Sequence, residues 1–167
     1  MAFRVLDSSA FYAGIPFSSS EPSVTTSYVY NEIKHIKKDH DAVQILIETR
    51  RLKISDPEHK FIITVNNAAK KSGDFPNLSQ EDVSIIALSL QLNAELITDD
   101  FAVSNVAKNL NIKVIPVMTS GIKKIITWVY YCPGCKTDFS ETTNCPNCGN
   151  RLKRKPGKIN QASGSGF

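Results

Sequence analysis

Ala94-Glu95-Leu96-Ile97-Thr98-Asp99-Asp100-Phe101-Ala102-Val103 is a short apolar run that stops on two acids and then turns helical. Residues 94–98 read as a strand. Phe101 to Leu110 reads as a helix with Val103, Val106, Ala107 and Leu110 on its inner face. Lys113-Val114-Ile115-Pro116 reads as the next strand. Strand, helix, strand is the unit of a parallel sheet, because parallel neighbours need a long crossover.

The upstream sequence continues the pattern. Phe3 to Leu6 reads as a buried strand that leaves at Asp7-Ser8-Ser9. Residues 14–22 hold Gly14, Pro16, three serines and Pro22, and read as a loop. Thr25, Thr26 and Ser27 offer N-caps to a helix with Val29, Ile33 and Ile36 on one face. A second helix runs from Asp41 to Thr49, and Lys53-Ile54-Ser55 is a weak strand. Lys60 to Ser72 reads as a helix ended by Gly73, although the β-branched Ile62-Ile63-Thr64-Val65 run is a poor helix former. Ser79 caps the clearest helix, with Asp82 at N3 and Val83, Ile86, Ala87 and Leu90 at helical spacing. The expectation is an α/β body over residues 1–120: a mostly parallel, Rossmann-like sheet flanked by helices.

The chain has 167 residues, 41% hydrophobic and 22% charged, which excludes global disorder. No apolar run approaches the roughly 20 residues of a membrane span, and the N-terminus lacks the layout of a signal peptide. A soluble, cytoplasmic protein is expected. The net charge of +4 is unevenly spread. Residues 1–120 hold 12 Lys/Arg and 14 Asp/Glu, net −2, while residues 121–167 hold 8 and 2, net +6. A basic end beside a near-neutral body points either to a polyanion partner, nucleic acid above all, or to a solvated tail.

All four cysteines lie within that basic end. Cys132-Pro133-Gly134-Cys135 and Cys145-Pro146-Asn147-Cys148 make the spacing C-x2-C-x9-C-x2-C. Each C-P-x-C turn aims two sulfurs at one point. Two such turns supply a tetrahedron of soft thiolates suited to one structural Zn2+, with no coordination position left for catalysis. So small a module needs the metal to fold. The expected divisions are a linker or strand at 121–131, a zinc ribbon at 132–152, and a basic, disordered tail at 153–167.

Five acids stand out by position: Asp7, Glu32, Asp82, Asp99 and Asp100. Asp7 and Asp99/Asp100 follow strands, and parallel sheets gather functional groups beyond the carboxyl ends of their strands. Singly, each has a plainer role as a cap, a turn residue or a solvated charge. Together they are costly: two carboxylates about 4 Å apart repel by about 4 kcal/mol at an effective dielectric near 20. Mg2+ or Mn2+ relieves that repulsion, and such an ion can activate water against a phosphodiester.

Val5-Leu6-Asp7-Ser8-Ser9-Ala10, Asn31-Glu32, Leu78-Ser79-Gln80-Glu81-Asp82 and Ile97-Thr98-Asp99-Asp100-Phe101 resemble the acidic motifs of PIN-domain ribonucleases. A PIN domain followed by a four-cysteine ribbon is similar to one branch, the Nob-type endonucleases that mature the 3′ end of small-subunit ribosomal RNA. The compact length resembles the archaeal members. The resemblance covers about residues 3–150. It implies cleavage of single-stranded precursor rRNA with Mg2+ or Mn2+, catalytic and metal-binding roles for Asp7, Glu32, Asp82 and Asp100, and a ribbon that contacts rRNA. Thr98-x-Asp100 fits the branch's Thr-x-Asp, which favours Asp100 and leaves Asp99 possible. Ser8 or Thr98 would position the acids. The implied partners are the precursor rRNA, the pre-ribosomal particle and protein assembly factors.

Lys136, Arg151, Lys153, Arg154 and Lys155 are the expected RNA contacts. Trp128, Tyr130 and Tyr131 either stack on bases or pack the ribbon onto the body. His35 and His40 are expected on a polar helix face and His59 in a loop, with no catalytic role. Two other readings stand: a non-catalytic RNA-binding assembly factor, and a general or toxin-type PIN ribonuclease. Truncation after Asn150 is expected to weaken RNA binding and flatten its salt dependence.

Overall fold

A computed structural model of the chain describes residues 3–34, 40–117, 124–139 and 144–161. Five short strands form the first sheet: β1 (Arg4–Leu6), β2 (Ser23–Thr25), β3 (Leu52–Ile54), β4 (Glu95–Ile97) and β5 (Val114–Ile115). All neighbours are parallel, in the order β3-β2-β1-β4-β5. The chain first builds outward from β1 through β2 to β3. It then returns to the other side of β1 with β4 and β5. The direction of growth therefore reverses between β1 and β4, whose ends are in register at Leu6 and Ile97.

Seven helices cover the sheet: α1 (Ser8–Tyr12), α2 (Ile15–Ser18), α3 (Ser27–Ile33), α4 (His40–Glu48), α5 (His59–Ser72), α6 (Gln80–Leu92) and α7 (Phe101–Asn109). Helix α6 is central, with every residue from Val83 to Leu88 buried, and Ser89 too. Its N-terminus is tied by a complete capping box: Ser79 Oγ accepts from Asp82 N, and Asp82 Oδ2 accepts from Ser79 N. Fully buried Ile85, Ile86 and Leu88 each contribute about 1.5–3 kcal/mol to the core. Helix α5 forms despite its β-branched run because Val65, Ala69 and Ser72 recur on one face and bury against the core.

Several expectations need correction. The loop at 14–22 contains α2, started by Gly14 in the left-handed region with Pro16 in its first turn. Strand β2 escaped the sequence reading because only Val24 of its three residues is apolar. Yet Ser23, Val24 and Thr25 are all buried, and Thr25 Oγ1 donates to the Leu6 carbonyl at 2.9 Å. Thr26 is the cap of α3, with Val29 and Ile33 buried as expected. Ile36 and His35 lie outside the described residues, as does the side chain of His40. His59 is exposed, but it opens α5 and is not in a loop.

The basic end differs most. Strand β6 (Lys124–Tyr131) is the middle strand of an antiparallel sheet ordered β7-β6-β8, with β7 (Asp138–Phe139) and β8 (Lys153–Gln161) on its edges. Of the two readings of 121–131, linker or strand, the strand is what the described part shows. Residues 153–161 are an ordered strand and not a disordered tail; residues 162–167 lie outside the described residues. Registration runs from Lys124↔Gln161 to Tyr131↔Lys153, with an irregularity between Ile126 and Trp128. Pro156 sits opposite Trp128 beside that irregularity, on an edge strand where a missing N–H is tolerated. A charged sequence with an internal Pro gave no alternating signal for this strand.

The second sheet meets the body at Gly73, the C-cap of α5. Tyr130 Oη donates to the Gly73 carbonyl, and Arg154 lies over the Trp128 ring at 4.1 Å. Tyr130 and Trp128 thus pack the ribbon onto the body. Asp74 is buried beneath them, its Oδ2 accepting from Ser72 Oγ at 2.7 Å and Asn105 Nδ2 at 2.5 Å. A Cβ on Gly73 would meet the Trp128 Cβ and carbonyl oxygen at 2.6 Å, and its φ of +81° is left-handed. Gly14 has nearly the same φ, +77°, but nothing within 4 Å. Gly14→Ala should cost about 1 kcal/mol from backbone strain alone. Gly73→Ala should cost about 1–3 kcal/mol more from overpacking. Urea unfolding of the two variants measures the difference, and equal losses would show that the close approach carries no energy.

Candidate active site and zinc centre

Among the described residues, the four cysteines are the group whose metal-ligating atoms all lie within 4.8 Å of one another. Cys132 and Cys148 Sγ are 3.4 Å apart, and Cys145 and Cys135 Sγ 3.9 Å. A tetrahedral Zn2+ with Zn–S bonds near 2.3 Å needs sulfurs about 3.8 Å apart, so the set fits that ion. Backbone turns hold it: Lys136 N donates to the Cys132 carbonyl and Gly149 N to the Cys145 carbonyl, both at 2.8 Å. The Cys135 N–H donates to Cys132 Sγ at 3.3 Å and is the main cause that lowers the Cys132 thiol to about 7. Cys135 is instead pushed up to about 12 by the facing Cys148 and Cys145 thiols.

The acids gather at the point where the sheet reverses direction. Asp7 follows β1 and caps α1, accepting from Ser8 N at 2.7 Å on Oδ1. Its Oδ2 accepts from Thr98 Oγ1 at 2.6 Å, just past β4. The same Thr98 hydroxyl oxygen accepts from Asp100 N at 3.1 Å. Thr98 therefore joins the Asp7 carboxylate to the Asp100 backbone. Asp100 caps α7 through Val103 N at 2.9 Å. Asp82 comes from the first turn of α6 and Glu32 from the last turn of α3.

Asp7, Glu32, Asp82 and Asp100 all line one open cavity of about 580 Å³. Asp99 does not. Its Oδ1 accepts from Val117 N at 2.8 Å, and its own N–H donates to Ser9 Oγ at 3.3 Å. Of the two neighbours, Asp100 faces the cavity and Asp99 the Val117 amide. The cavity adds a fifth acid, Glu81, and Tyr12, neither of which was singled out in the sequence. Glu81 had one available signal, its place beside Asp82 in the first turn of a well-capped helix.

The acids disturb one another. Burial raises the Asp7 carboxyl above its ordinary 3.8; the bonds from Thr98 and Ser8 pull it down, and Asp100 and Glu32 push it up. Burial also raises Asp82, opposed by Ser79, with Asp100 and Asp7 adding to the rise. Glu32 is raised by burial, then by Glu81 and Asp82. Among the described residues, no Lys or Arg lines the cavity. A set of oxygen donors that repel one another, with no cation of the described residues among them, fits a hard divalent ion.

The expected RNA-contacting cations all lie on the ribbon. Lys153, Arg154 and Lys155 are on β8, Arg151 bridges to Asn144, and Lys136 follows the first cysteine turn. All five are exposed, although Lys155 also pairs with Asp138 at 3.0 Å. Truncation after Asn150 would remove β8 with its charges, so it is not a clean test of a tail.

A family profile described as the PIN domain of ribonuclease matches residues 5–92. Endoribonuclease Nob1 of Pyrococcus abyssi is 36% identical over 155 residues, covering 91% of this chain and 92% of that protein. Endoribonuclease Nob1 of Methanocaldococcus jannaschii is 39% identical over 160 residues, covering 93% and 78%. Ribonuclease VapC1 of Thermoplasma acidophilum is 37% identical over 123 residues, covering 73% and 63%.

The raised Asp7 carboxyl makes a stability prediction. Its folded pKa exceeds the unfolded value, so the native state holds a proton that the unfolded chain has released. Stability from this group is full below about 3.8 and is lost as pH rises through the folded pKa. In zinc-loaded protein free of Mg2+ and Mn2+, Asp7→Asn should melt higher than wild type at pH 7.5. About 2–4 °C is expected per kcal/mol relieved, and the gain should shrink toward pH 4. Melting curves across that range check it; a variant that melts lower at every pH contradicts it.

Proposed function

We propose, from the premise that this chain belongs to the PIN-domain ribonucleases and is of the Nob1 endoribonuclease type, that it cuts single-stranded precursor rRNA at the 3′ end of the small-subunit rRNA, using Mg2+ or Mn2+. The observation that carries the metal-dependent part is the cavity itself: five acids (Asp7, Glu32, Glu81, Asp82 and Asp100) drawn from separate parts of the chain, no basic side chain among the described residues, and mutual repulsion. Asp7, Glu32, Asp82 and Asp100 would hold the ion. Bound there, it would supply water activation and stabilisation of charge developing on the phosphate.

The chain's own residues set the stage for that chemistry. Thr98 fixes the rotamer of Asp7 and the backbone at Asp100 together, so the two acids keep one spacing. The capping box holds Asp82 against the first turn of α6, where it lines the cavity. The openness of the cavity suits an extended strand, which can pass through without unfolding a lid. The zinc ribbon, with its cations exposed, would hold rRNA at a distance from the cut. We place the reaction in the pre-ribosomal particle, with assembly factors as further partners. No helix among the described residues is long and apolar enough to cross a membrane.

The test uses an RNA that spans the small-subunit rRNA 3′ end, in Mn2+. Wild type should cut it at one site. Asp7→Asn and Asp100→Asn should each lower the rate by about 100-fold or more, since several kcal/mol of charge stabilisation is at stake. Asp99→Asn keeps its acceptor for Val117 N and should stay within about tenfold of wild type. Unspecific cutting of any RNA would favour a general ribonuclease, a reading to which the similarity with VapC1 lends weight. Tight binding without cutting would leave an assembly factor.

A further inference from the structure

A second cavity, of about 360 Å³, adjoins the acid cavity. Ser79 lines both. Helix α3 contributes Tyr28 to the second and Glu32 to the first, one helical turn or about 6 Å apart on the same face. That separation is comparable to one step along a nucleic-acid strand. The floor is apolar, formed by Ile62, Leu78 and Val83. Tyr28 and Phe75 stand at the walls, 39% and 42% exposed, so neither ring is used up by the core.

The polar groups divide into used and unused. Ser79 Oγ is taken by Asp82 N, and Ser84 Oγ pairs with Thr26 Oγ1 and the Glu81 carbonyl. Asn66 is half-buried in the same cavity, and its amide has no hydrogen-bond partner among the described residues. Lys70 Nζ lies 5.1 Å from the Phe75 ring centroid and makes no ion pair among the described residues. An apolar floor, two exposed rings, the amides of Asn66 and Gln80 without a hydrogen-bond partner among the described residues, and the Lys70 ammonium beside Phe75 match a flat, aromatic ligand with a polar edge and an attached anion. The size is at the small end for ligand cavities, which run from about 300 Å³ upward.

We propose that this cavity binds one unpaired base of the RNA strand, next to the phosphate that is cut. Tyr28 and Phe75 stack the base, Asn66 bonds its edge, and Lys70 meets the neighbouring phosphate. This rests on the ribonuclease reading and adds to it a base site, so that cutting depends on the base beside the scissile phosphate. Asn66 is the residue that reads which base it is, because an amide offers a donor and an acceptor side by side.

The experiment uses single-stranded RNA oligonucleotides around the cut, each with 2-aminopurine at one position, a base whose fluorescence falls on stacking. They are added to zinc-loaded Asp100→Asn protein, alone and with Tyr28→Ala or Asn66→Ala added. Both second positions are at the surface or half-buried, and melting curves check that each variant folds. One position beside the cut should be quenched on binding. Tyr28→Ala should abolish that quenching and weaken binding about 5- to 150-fold, the range of one stacked base. In the wild-type background, Asn66→Ala should flatten the preference of kcat/KM among the four bases at that position. Quenching at no position, or quenching that survives Tyr28→Ala, overturns the base site. Wild type that cuts no RNA overturns the ribonuclease reading instead, while the quenching still decides the occupant of the cavity. Quenching by free nucleotide as strong as by the oligonucleotide shows a nucleotide site separate from the cut and likewise overturns the proposal.

Discussion

The hydrogen bond from Thr98 to Asp7 exists only because β1 and β4 are parallel neighbours that end side by side. The chain leaves β1 in one direction and comes back to it from the other. Residues 91 positions apart therefore meet beyond the strand ends, at the opening where no crossover covers them. Asp7 and Asp100 are carried to one place by that reversal, and the remaining acids are brought by helices packed over it. Shifting β4 by one residue would turn Thr98 away from Asp7 and undo the pairing.

Helix α6 serves both halves of this arrangement. Its body is the densest part of the core, and its first turn carries Asp82 and Glu81 into the cavity. The capping box that starts the helix is the same set of bonds that orients Asp82. Stability and site geometry are thus set by one local structure. The acids work against that stability through mutual repulsion, and a bound cation would reverse the sign of their contribution.

The ribbon is joined to the body by side chains that also belong to its own sheet. Tyr130 is in the ribbon's small core with Cys132, Cys145 and Leu152, and its hydroxyl reaches Gly73 at the end of α5. Ordering of the cysteine cluster by metal therefore bears on how the second sheet sits on the end of α5. Much of this was legible in the sequence: the four-cysteine spacing, the Ser79–Asp82 cap, and the strand ending at Thr98. The acids at strand ends were legible too, since a parallel sheet leaves few places for them. Strand β2 was not, because its buried Ser23 and Thr25 look like turn residues until the Thr25 hydroxyl finds the Leu6 carbonyl of the neighbouring strand. Strand β8 was not, because its pairing comes from backbone bonds to β6 while its side chains are charged and interrupted by Pro156. The Thr98-x-Asp100 pattern favoured Asp100 over Asp99 without excluding the latter; the Val117 amide engages Asp99 only in the folded chain.

The central claim is that the converged acids are a divalent-cation site. Titration of Mn2+ into zinc-loaded, isotope-labelled protein, followed by paramagnetic broadening of backbone amides, tests it most directly. The account predicts that Ser8, Asp82, Thr98 and Asp100 broaden first, and that Asp7→Asn weakens the effect there. Broadening that begins at other surface carboxylates, or that is unchanged by Asp7→Asn, would contradict it.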